Sequence, residues 1–374
     1  MTGGTGFVGS HLVERLAELE MTSIVVPVRK FRSGSQIARF PVSMKRIDLL
    51  DPASCRNALK GAKHVFHLAY GTEGANASLV TIEGTRNVLR AALQEGAESV
   101  VVFSTCTVWG GCEDKVVTEN EPVRPALGNY GRSKAQMQKE CLQFAKEHPE
   151  MRVSVVAPGS VYGPRSELFC IIPCTAAKAG NFAWFEGGRG VCSPVHVANL
   201  VDLAILAAQK TEAHGQVFIA VDGQSNWREF LAPLVEPWLD SIPDFSLAKM
   251  KSLKRASGKS GTFKDVVKSV INSSELMAAV SNHPILGTLK EGFSRIFSAR
   301  RRKLLQLRRV TDRINKPNRI IGGVAAWMAD IYGPSTVAFS SAKARKLLGW
   351  QPRLSLQEGI SMSVEWLKQT GFRD

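Results

Sequence analysis

Short apolar runs alternate with stretches of helical period through the first 150 residues. Residues 23–28 form a β-branched run, 42–47 and 63–68 repeat it, and 99–105 carries Val100, Val101, Val102 and Phe103 in succession. Such runs, bounded by turn residues, read as strands buried on both faces. Between them Leu12, Val13 and Leu16 recur at helical spacing, and 81–94 reads as a further helix. Strand, helix and strand in repeated order predict an α/β fold built on a doubly wound parallel sheet. Later, 227–239 reads as a helix of a smaller C-terminal portion. Over 283–309, Leu289, Phe293, Ile296, Phe297, Leu304, Leu305 and Leu307 are interspersed with Arg295, Arg300, Arg301, Arg302, Lys303, Arg308 and Arg309, an amphipathic basic stretch.

The pattern divides the chain into a nucleotide-binding half at 1–165, a substrate-binding portion at 166–240 and 320–374, and a basic insert at 241–319. Gly3, Gly6 and Gly9 fall in one loop that opens the first helix, with Phe7 and Val8 at its start. A glycine loop at a helix N-terminus lets backbone N–H groups approach a pyrophosphate, where the helix dipole also favours negative charge. A strand should precede such a loop, and here only Met1 and Thr2 do. That strand belongs in the middle of the sheet. Its shortness predicts a core opened at its centre and a chain starting several residues upstream. At the end of the 23–28 run stand Arg29 and Arg32, where a carboxylate would bind a ribose 2′-hydroxyl and arginine accommodates a 2′-phosphate. NADP is therefore expected ahead of NAD.

Charge changes this picture in one place. The chain of 374 residues carries a formal net charge of +15. Between 245 and 320 stand about 18 Lys or Arg against about 4 Asp or Glu, so nearly the whole imbalance sits in the insert. Three readings fit it: a helix lying on an anionic membrane surface, a magnet for acidic substrates or partners, or a lid or oligomer helix with a solvated face. Few aromatics accompany the charge and no recognition motif does, so no nucleic acid is expected. The seven cysteines are scattered without a C-x-x-C pair, and no metal is expected. The chain opens directly on the glycine loop without a leader, and no apolar run is long enough to span a bilayer. The expectation is a cytoplasmic protein, peripheral at most on the inner face of the membrane.

Candidate chemistry lies at Tyr130 and Lys134, spaced i and i+4 on one helical face. A nearby ammonium and a cationic nicotinamide ring favour the phenolate, so the tyrosine is expected to titrate below its usual value near pH 10 and to exchange a proton with a substrate hydroxyl or carbonyl. Thr105 ends the 99–105 run, where such sheets bind ligands, and can hydrogen-bond the reacting oxygen.

These residues resemble the extended short-chain dehydrogenases/reductases, the NAD-dependent epimerase/dehydratase family. The resemblance runs through Thr2 to Gly9, Asp48-Leu49, Phe66-His67-Leu68-Ala69 and Glu83 to Leu89. It continues through Ser104-Thr105 with Val108-Trp109-Gly110, Tyr130 to Lys134, Pro158 to Pro164, His196-Val197 with Asn199-Leu200, and Leu347 to Pro352 with Glu358-Gly359. It implies a Rossmann-type sheet, with Gly3, Gly6, Phe7, Val8 and Gly9 at the pyrophosphate, Arg29 at the adenosine phosphate, and Asp48 and Leu49 at the adenine. Leu68, Ala69 and Pro158 would line the cofactor cleft. Thr105, Tyr130 and Lys134 would match the family's reacting Ser/Thr, Tyr and Lys, with Lys134 also on the nicotinamide ribose. The family commonly forms dimers, so a homodimer is expected.

Departures from the family narrow the chemistry. Dehydratases of nucleotide sugars resemble Thr-Asp-Glu where this chain has Thr105-Cys106-Thr107, so no carboxylate pair serves elimination of water. Ala157, Cys192 and Ser193 stand where sugar-nucleotide enzymes commonly place arginines for a diphosphate. Asn199, where they show Asp, looks more like the sterol and aldehyde branches. The expected function is NAD(P)-dependent hydride transfer at a carbinol or carbonyl carbon, as an oxidoreductase or an epimerase. A sugar or sugar nucleotide is the first substrate, because that is the family's commonest use. A sterol-like or aldehyde substrate, as in 3-beta-hydroxysteroid dehydrogenases, is the alternative. A dinucleotide sensor without turnover is the second alternative, disfavoured by the intact Thr105, Tyr130 and Lys134.

Overall fold

A computed structural model describes residues 1–21, 23–71, 77–112, 116–125, 128–257, 324–325 and 327–373. The strands expected from the apolar runs form as β1 (Ile24–Val28), β2 (Val42–Arg46), β3 (His64–His67) and β4 (Ser99–Phe103), followed by β5 (Arg152–Pro158) and β6 (Val217–Ala220). All pairings among them are parallel: β2 with β1, β3 with β4, β4 with β5, and β5 with β6.

The gap expected at the centre of this sheet is bridged by two residues. Thr2 pairs in parallel with His67, its N–H donating to the Phe66 carbonyl at 2.9 Å and its carbonyl accepting from Leu68 N–H at 3.1 Å. On the other side the Met1 nitrogen donates to the Val25 carbonyl at 2.8 Å. Met1 is buried in one cluster with Val26 and Phe66. Residues 1–2 thus join β1 to β3, completing the order β2-β1-(1–2)-β3-β4-β5-β6 of a doubly wound sheet, rather than leaving its core open.

Alternation along β4 explains why its run is apolar throughout. Val100 and Val102 face α2 (Pro52–Leu59), α3 (Ala77–Gln94) and α4 (Asn129–Glu147), packing with Leu59, Val88 and Met137. Val101 and Phe103 face α1 (Phe7–Glu18) and α5 (Val197–Gln209), packing with Leu12, Leu200 and Ala204. Both faces of the sheet are covered, as a parallel sheet requires.

The chain divides into two compact units: Met1–Ser166, Val191–Ser225 and Thr336–Gly359 form the first, and Glu167–Gly190, Asn226–Ser335 and Ile360–Asp374 the second. This differs from the division expected at 165 and 240. Residues 191–225 and 336–359 join the first unit, because β6 adds to the sheet edge and α5 covers one face. In the second unit Trp227, Phe169, Phe182 and Trp327 surround the ring of Tyr332, whose hydroxyl donates to the Leu168 carbonyl at 2.5 Å. The helix expected over 227–239 stops at Val235, and a 3-10 segment with Pro237 in its first turn follows over Glu236–Ser241. Proline's missing N–H and fixed φ favour such a restart. The basic stretch 283–309 lies outside the described residues. No helix among the described residues is long and apolar enough to cross a membrane.

Asn199 has a structural occupation. Fully buried, it donates from Nδ2 to the Leu354 carbonyl at 2.8 Å and accepts Leu354 N–H on Oδ1 at 3.0 Å, while its own carbonyl accepts the Trp350 indole N–H at 3.1 Å. It clasps the 347–354 segment to α5, and its side chain is a weak guide to substrate class. Asn199→Ala removes the two side-chain bonds to Leu354, and the one to Asp222, and orphans Leu354. Urea denaturation is expected to show a loss of about 2–3 kcal/mol. A loss of a few tenths would mean the clasp is solvated.

Candidate active site

The glycine loop is shaped by backbone contacts that leave no room for side chains. Gly3 has φ +71°, and a Cβ there would stand 2.7 Å from the Ala69 nitrogen. A Cβ on Gly9 would stand 2.2 Å from the Gly3 carbonyl oxygen, inside any van der Waals separation. At Gly6 a Cβ would meet only the Gly3 oxygen, at 3.4 Å. Gly6 is the extended residue before α1, and no side chain caps the helix. Its bare backbone, with Phe7 and Val8 beginning the helix behind it, leaves the positive end of α1 open to an anion. A dinucleotide pyrophosphate fits this cradle, and Gly3, Gly6, Phe7, Val8 and Gly9 would hold it.

Behind the loop runs a buried chain of hydrogen bonds that the sequence reading missed. The Thr85 hydroxyl donates to the Thr81 carbonyl at 2.7 Å, so toward His67 it accepts, from Nε2–H at 2.9 Å. His67 Nδ1 then accepts from the Thr2 hydroxyl at 2.6 Å. Burial, with the Lys134 ammonium adding to it, pushes the His67 pKa down to about 3, so the imidazole stays neutral. Thr2, immediately before the loop, is thereby tied through β3 to α3.

The remaining candidates follow the C-terminal ends of the strands, the ligand-binding edge of an open α/β sheet. Arg29 is exposed directly after β1. Asp48, exposed after β2, accepts Leu50 N–H at 3.0 Å, and the Leu49 carbonyl accepts from Asn87 Nδ2 at 2.9 Å. Leu68 and Ala69 are half-buried beside Gly3. Pro158 closes β5 in register with Ala220.

Thr105, Tyr130 and Lys134 come together after β4 and on α4. The Thr105 oxygen accepts from both the Thr107 N–H and the Thr107 hydroxyl, each at 3.2 Å. Its own proton is then left to donate toward the Tyr130 oxygen, a bond that favours the phenolate. Ser104 donates to Gln138 Oε1 at 2.9 Å, fixing the end of β4 against α4. Lys134 is buried, and its ammonium donates to the Phe103 carbonyl at 2.6 Å. It also stands over the Tyr70 ring at 4.9 Å from the centroid.

The electrostatics differ from expectation in one respect. The Tyr130 ring is 45 % exposed, yet its phenol group is desolvated; that burial, with Tyr70 beside it, raises its pKa against the lowering bond from Thr105. Burial outweighs the bond from Thr105, while the Lys134 ammonium is engaged with the Phe103 carbonyl and the Tyr70 ring. Burial in turn lowers Lys134 to about 8. Tyr130 therefore keeps its proton at neutral pH. Tyr70 itself follows Ala69 with no spacing signal to mark it, and the sequence reading passed over it.

A model of the NAD dependent epimerase/dehydratase family matches residues 1–220. Short-chain dehydrogenase/reductase family 42E member 1 of Danio rerio is 30% identical over 273 residues, spanning 66% of this chain and 69% of that protein. The sterol-4-alpha-carboxylate 3-dehydrogenase (decarboxylating) of Mus musculus is 26% identical over 215 residues, spanning 55% of this chain and 58% of the mouse protein. Among solved structures, a dTDP-glucose 4,6-dehydratase of Bacillus anthracis in complex with NAD superposes with a TM-score of 0.67 at 15% identity, over 98% of this chain and 95% of that one, a likeness of fold. With the glycine loop, the strand order and the Thr105, Tyr130 and Lys134 cluster in place, the chain belongs to the NAD-dependent epimerase/dehydratase family, the extended short-chain dehydrogenases.

Proposed function

We propose that the protein interconverts a secondary alcohol and a carbonyl by hydride transfer, with Tyr130 carrying the proton. The observation behind this reading is the Thr105–Tyr130 pair beside a buried Lys134, at the strand edge where the glycine loop opens. A nicotinamide dinucleotide supplies the hydride acceptor or donor. Tyr130, protonated at neutral pH, gives its proton to a carbonyl oxygen, and Thr105 turns its hydroxyl proton from Tyr130 to donate a second hydrogen bond to the same oxygen. Lys134 carries the charge that stabilises the phenolate left behind, and Gly3 to Gly9 anchor the pyrophosphate. Simple exchange of cofactor between turnovers makes this a dehydrogenase or reductase. Retention of cofactor would make it an epimerase.

Elimination of water is disfavoured at this site. Cys106 is buried, its thiol donates to the Ala157 carbonyl at 3.3 Å, and burial drives its pKa well above the ordinary value, so it supplies no acid or base where a dehydratase carries a carboxylate.

For the substrate, an apolar ring compound bearing a hydroxyl or ketone has the better support. Ala157 lies buried within β5, Cys192 is buried, and the Ser193 hydroxyl accepts Phe339 N–H at 3.2 Å. None of these positions offers a cation to a diphosphate. The sterol-4-alpha-carboxylate dehydrogenases among the sequence relatives point the same way. The competing reading is a sugar nucleotide, supported by folds that carry UDP-glucose or dTDP-glucose chemistry at 15–20% identity.

Arg29 favours NADP over NAD, because an exposed guanidinium after β1 can pair with a 2′-phosphate.

Tyr130→Phe is expected to lower kcat by about 10²- to 10⁴-fold, with dinucleotide affinity changed less than about threefold. Retained turnover, in an assay of NAD(P)H absorbance against a panel of 3-hydroxysterols and UDP-glucose, would reject the proton-transfer role. Arg29→Ala should weaken NADPH binding by about tenfold and leave NADH binding unchanged in fluorescence titrations. An equal effect on both dinucleotides would assign Arg29 no part in the choice.

A further inference from the structure

Part of the chain's charge excess lies among the described residues of the second unit. There α6 (Leu247–Ser257) leaves a corner in which residues 244–245 pair in parallel with 184–185. Leu247 N–H donates to Glu186, and Gly187 N–H donates to Asp244 Oδ1 at 2.8 Å, so both carboxylates of the corner accept from backbone. Four cations stand around them. The Arg189 side chain is 80 % exposed, its guanidinium 3.9 Å from Glu186. Arg228, also exposed, lies over the Trp184 ring at 5.2 Å and abuts Gly188, where an added Cβ would stand 2.9 Å from its own. Lys249 and Lys251 sit in the first turns of α6, where every residue over 247–252 except Met250 is exposed. Leu247 is 49 % exposed among them.

Helix stability does not account for these lysines. No acidic residue stands in the first turn of α6, and a cation there opposes the helix dipole. The sequence that follows, 258–320, adds about 14 Lys or Arg against about 4 Asp or Glu, whereas the rest of the chain is close to neutral. We propose that this corner docks on the surface of an anionic phospholipid bilayer, with Arg189, Arg228, Lys249 and Lys251 over the headgroups and Leu247 entering the headgroup–acyl boundary. Such a surface presents diffuse negative charge above an apolar layer, which matches spread cations around one exposed leucine. Lysine and arginine stems suit the same boundary, lying along apolar surface while their charged heads stay in water. A nucleic acid would be served instead by an exposed ring on which a base can stack. Here Phe245 is buried, with the Lys249 ammonium 4.0 Å from its centroid. Docking of this kind is reversible and weakens with salt, because added ions screen the attraction.

The test is sedimentation of the full chain with extruded phospholipid vesicles, which needs no turnover and so stands apart from the proton-transfer reading. At about 0.1 M salt, phosphatidylcholine vesicles with about one-third phosphatidylserine should bind at least about tenfold more tightly than pure phosphatidylcholine. At about 0.5 M salt they should release the protein. Lys249→Glu combined with Lys251→Glu should weaken the binding at least about tenfold. Leu247→Ser should weaken it about threefold or more. The matched control is Lys60→Glu with Lys63→Glu, two exposed lysines of the first unit, which should change it less than about twofold. Circular dichroism of every variant should match the parent, since each substituted side chain is exposed. Equal binding to both vesicle types, binding that resists salt, or undiminished affinity in the Lys249 and Lys251 double variant overturns the proposal. An equal loss in the control pair also overturns it, because net charge would then be the cause. Displacement from the anionic vesicles by duplex DNA at equal phosphate concentration overturns it in favour of a nucleic acid.

Discussion

Backbone meets backbone at two points around the glycine loop: Gly3 against Leu68–Ala69 at the end of β3, and Gly9 against the Gly3 carbonyl at the start of α1. Two methyl groups would be enough to separate these elements, and the rest of the site depends on their closeness. Because Gly3 touches Ala69, the chain leaving β3 passes directly beside the loop, and Tyr70 is delivered over Lys134. Because Gly9 touches Gly3, the N-terminus of α1 is brought to the loop with its cap position bare. The Thr2–His67–Thr85 chain holds the arrangement from below through a neutral imidazole, whose two nitrogens play opposite roles. A charged imidazole would carry two donors, so the Thr2 hydroxyl could no longer donate to it.

The reaction centre sits across the sheet edge from this loop, carried by the end of β4 and the first turns of α4. Its chemistry is set by how two polar groups are partnered. Thr105 directs its hydroxyl hydrogen bond toward Tyr130 because Thr107 fills its acceptor sites, and the ammonium of Lys134 is held by a carbonyl and a ring. The resulting site keeps its phenol protonated and its lysine buried.

Much of this was legible in the sequence, for reasons that are local. Tyr130 and Lys134 lie one helical turn apart, Thr105 follows an apolar run, and Gly3, Gly6 and Gly9 sit between a buried stub and a helical pattern. The charge state of Tyr130 was not legible, since it depends on burial of its phenol and on Tyr70, 60 residues away in the chain. Nor could periodicity show that Met1 and Thr2 suffice to bridge β1 and β3, because a two-residue pairing has no period. Asn199 suggested a substrate class by its identity, whereas its side chain is spent on Leu354, 155 residues away. Tyr70 and the Ser104–Gln138 bond gave no signal, being contacts between elements rather than patterns within one.

The loop geometry and the dinucleotide reading stand or fall together, and isothermal titration of the purified chain with NADPH and with NADH tests them most directly. Saturable binding at one site per chain is expected, abolished in Gly9→Ala while circular dichroism shows the fold retained. Absence of binding by the parent chain, or undiminished binding by a folded Gly9→Ala protein, would contradict the account.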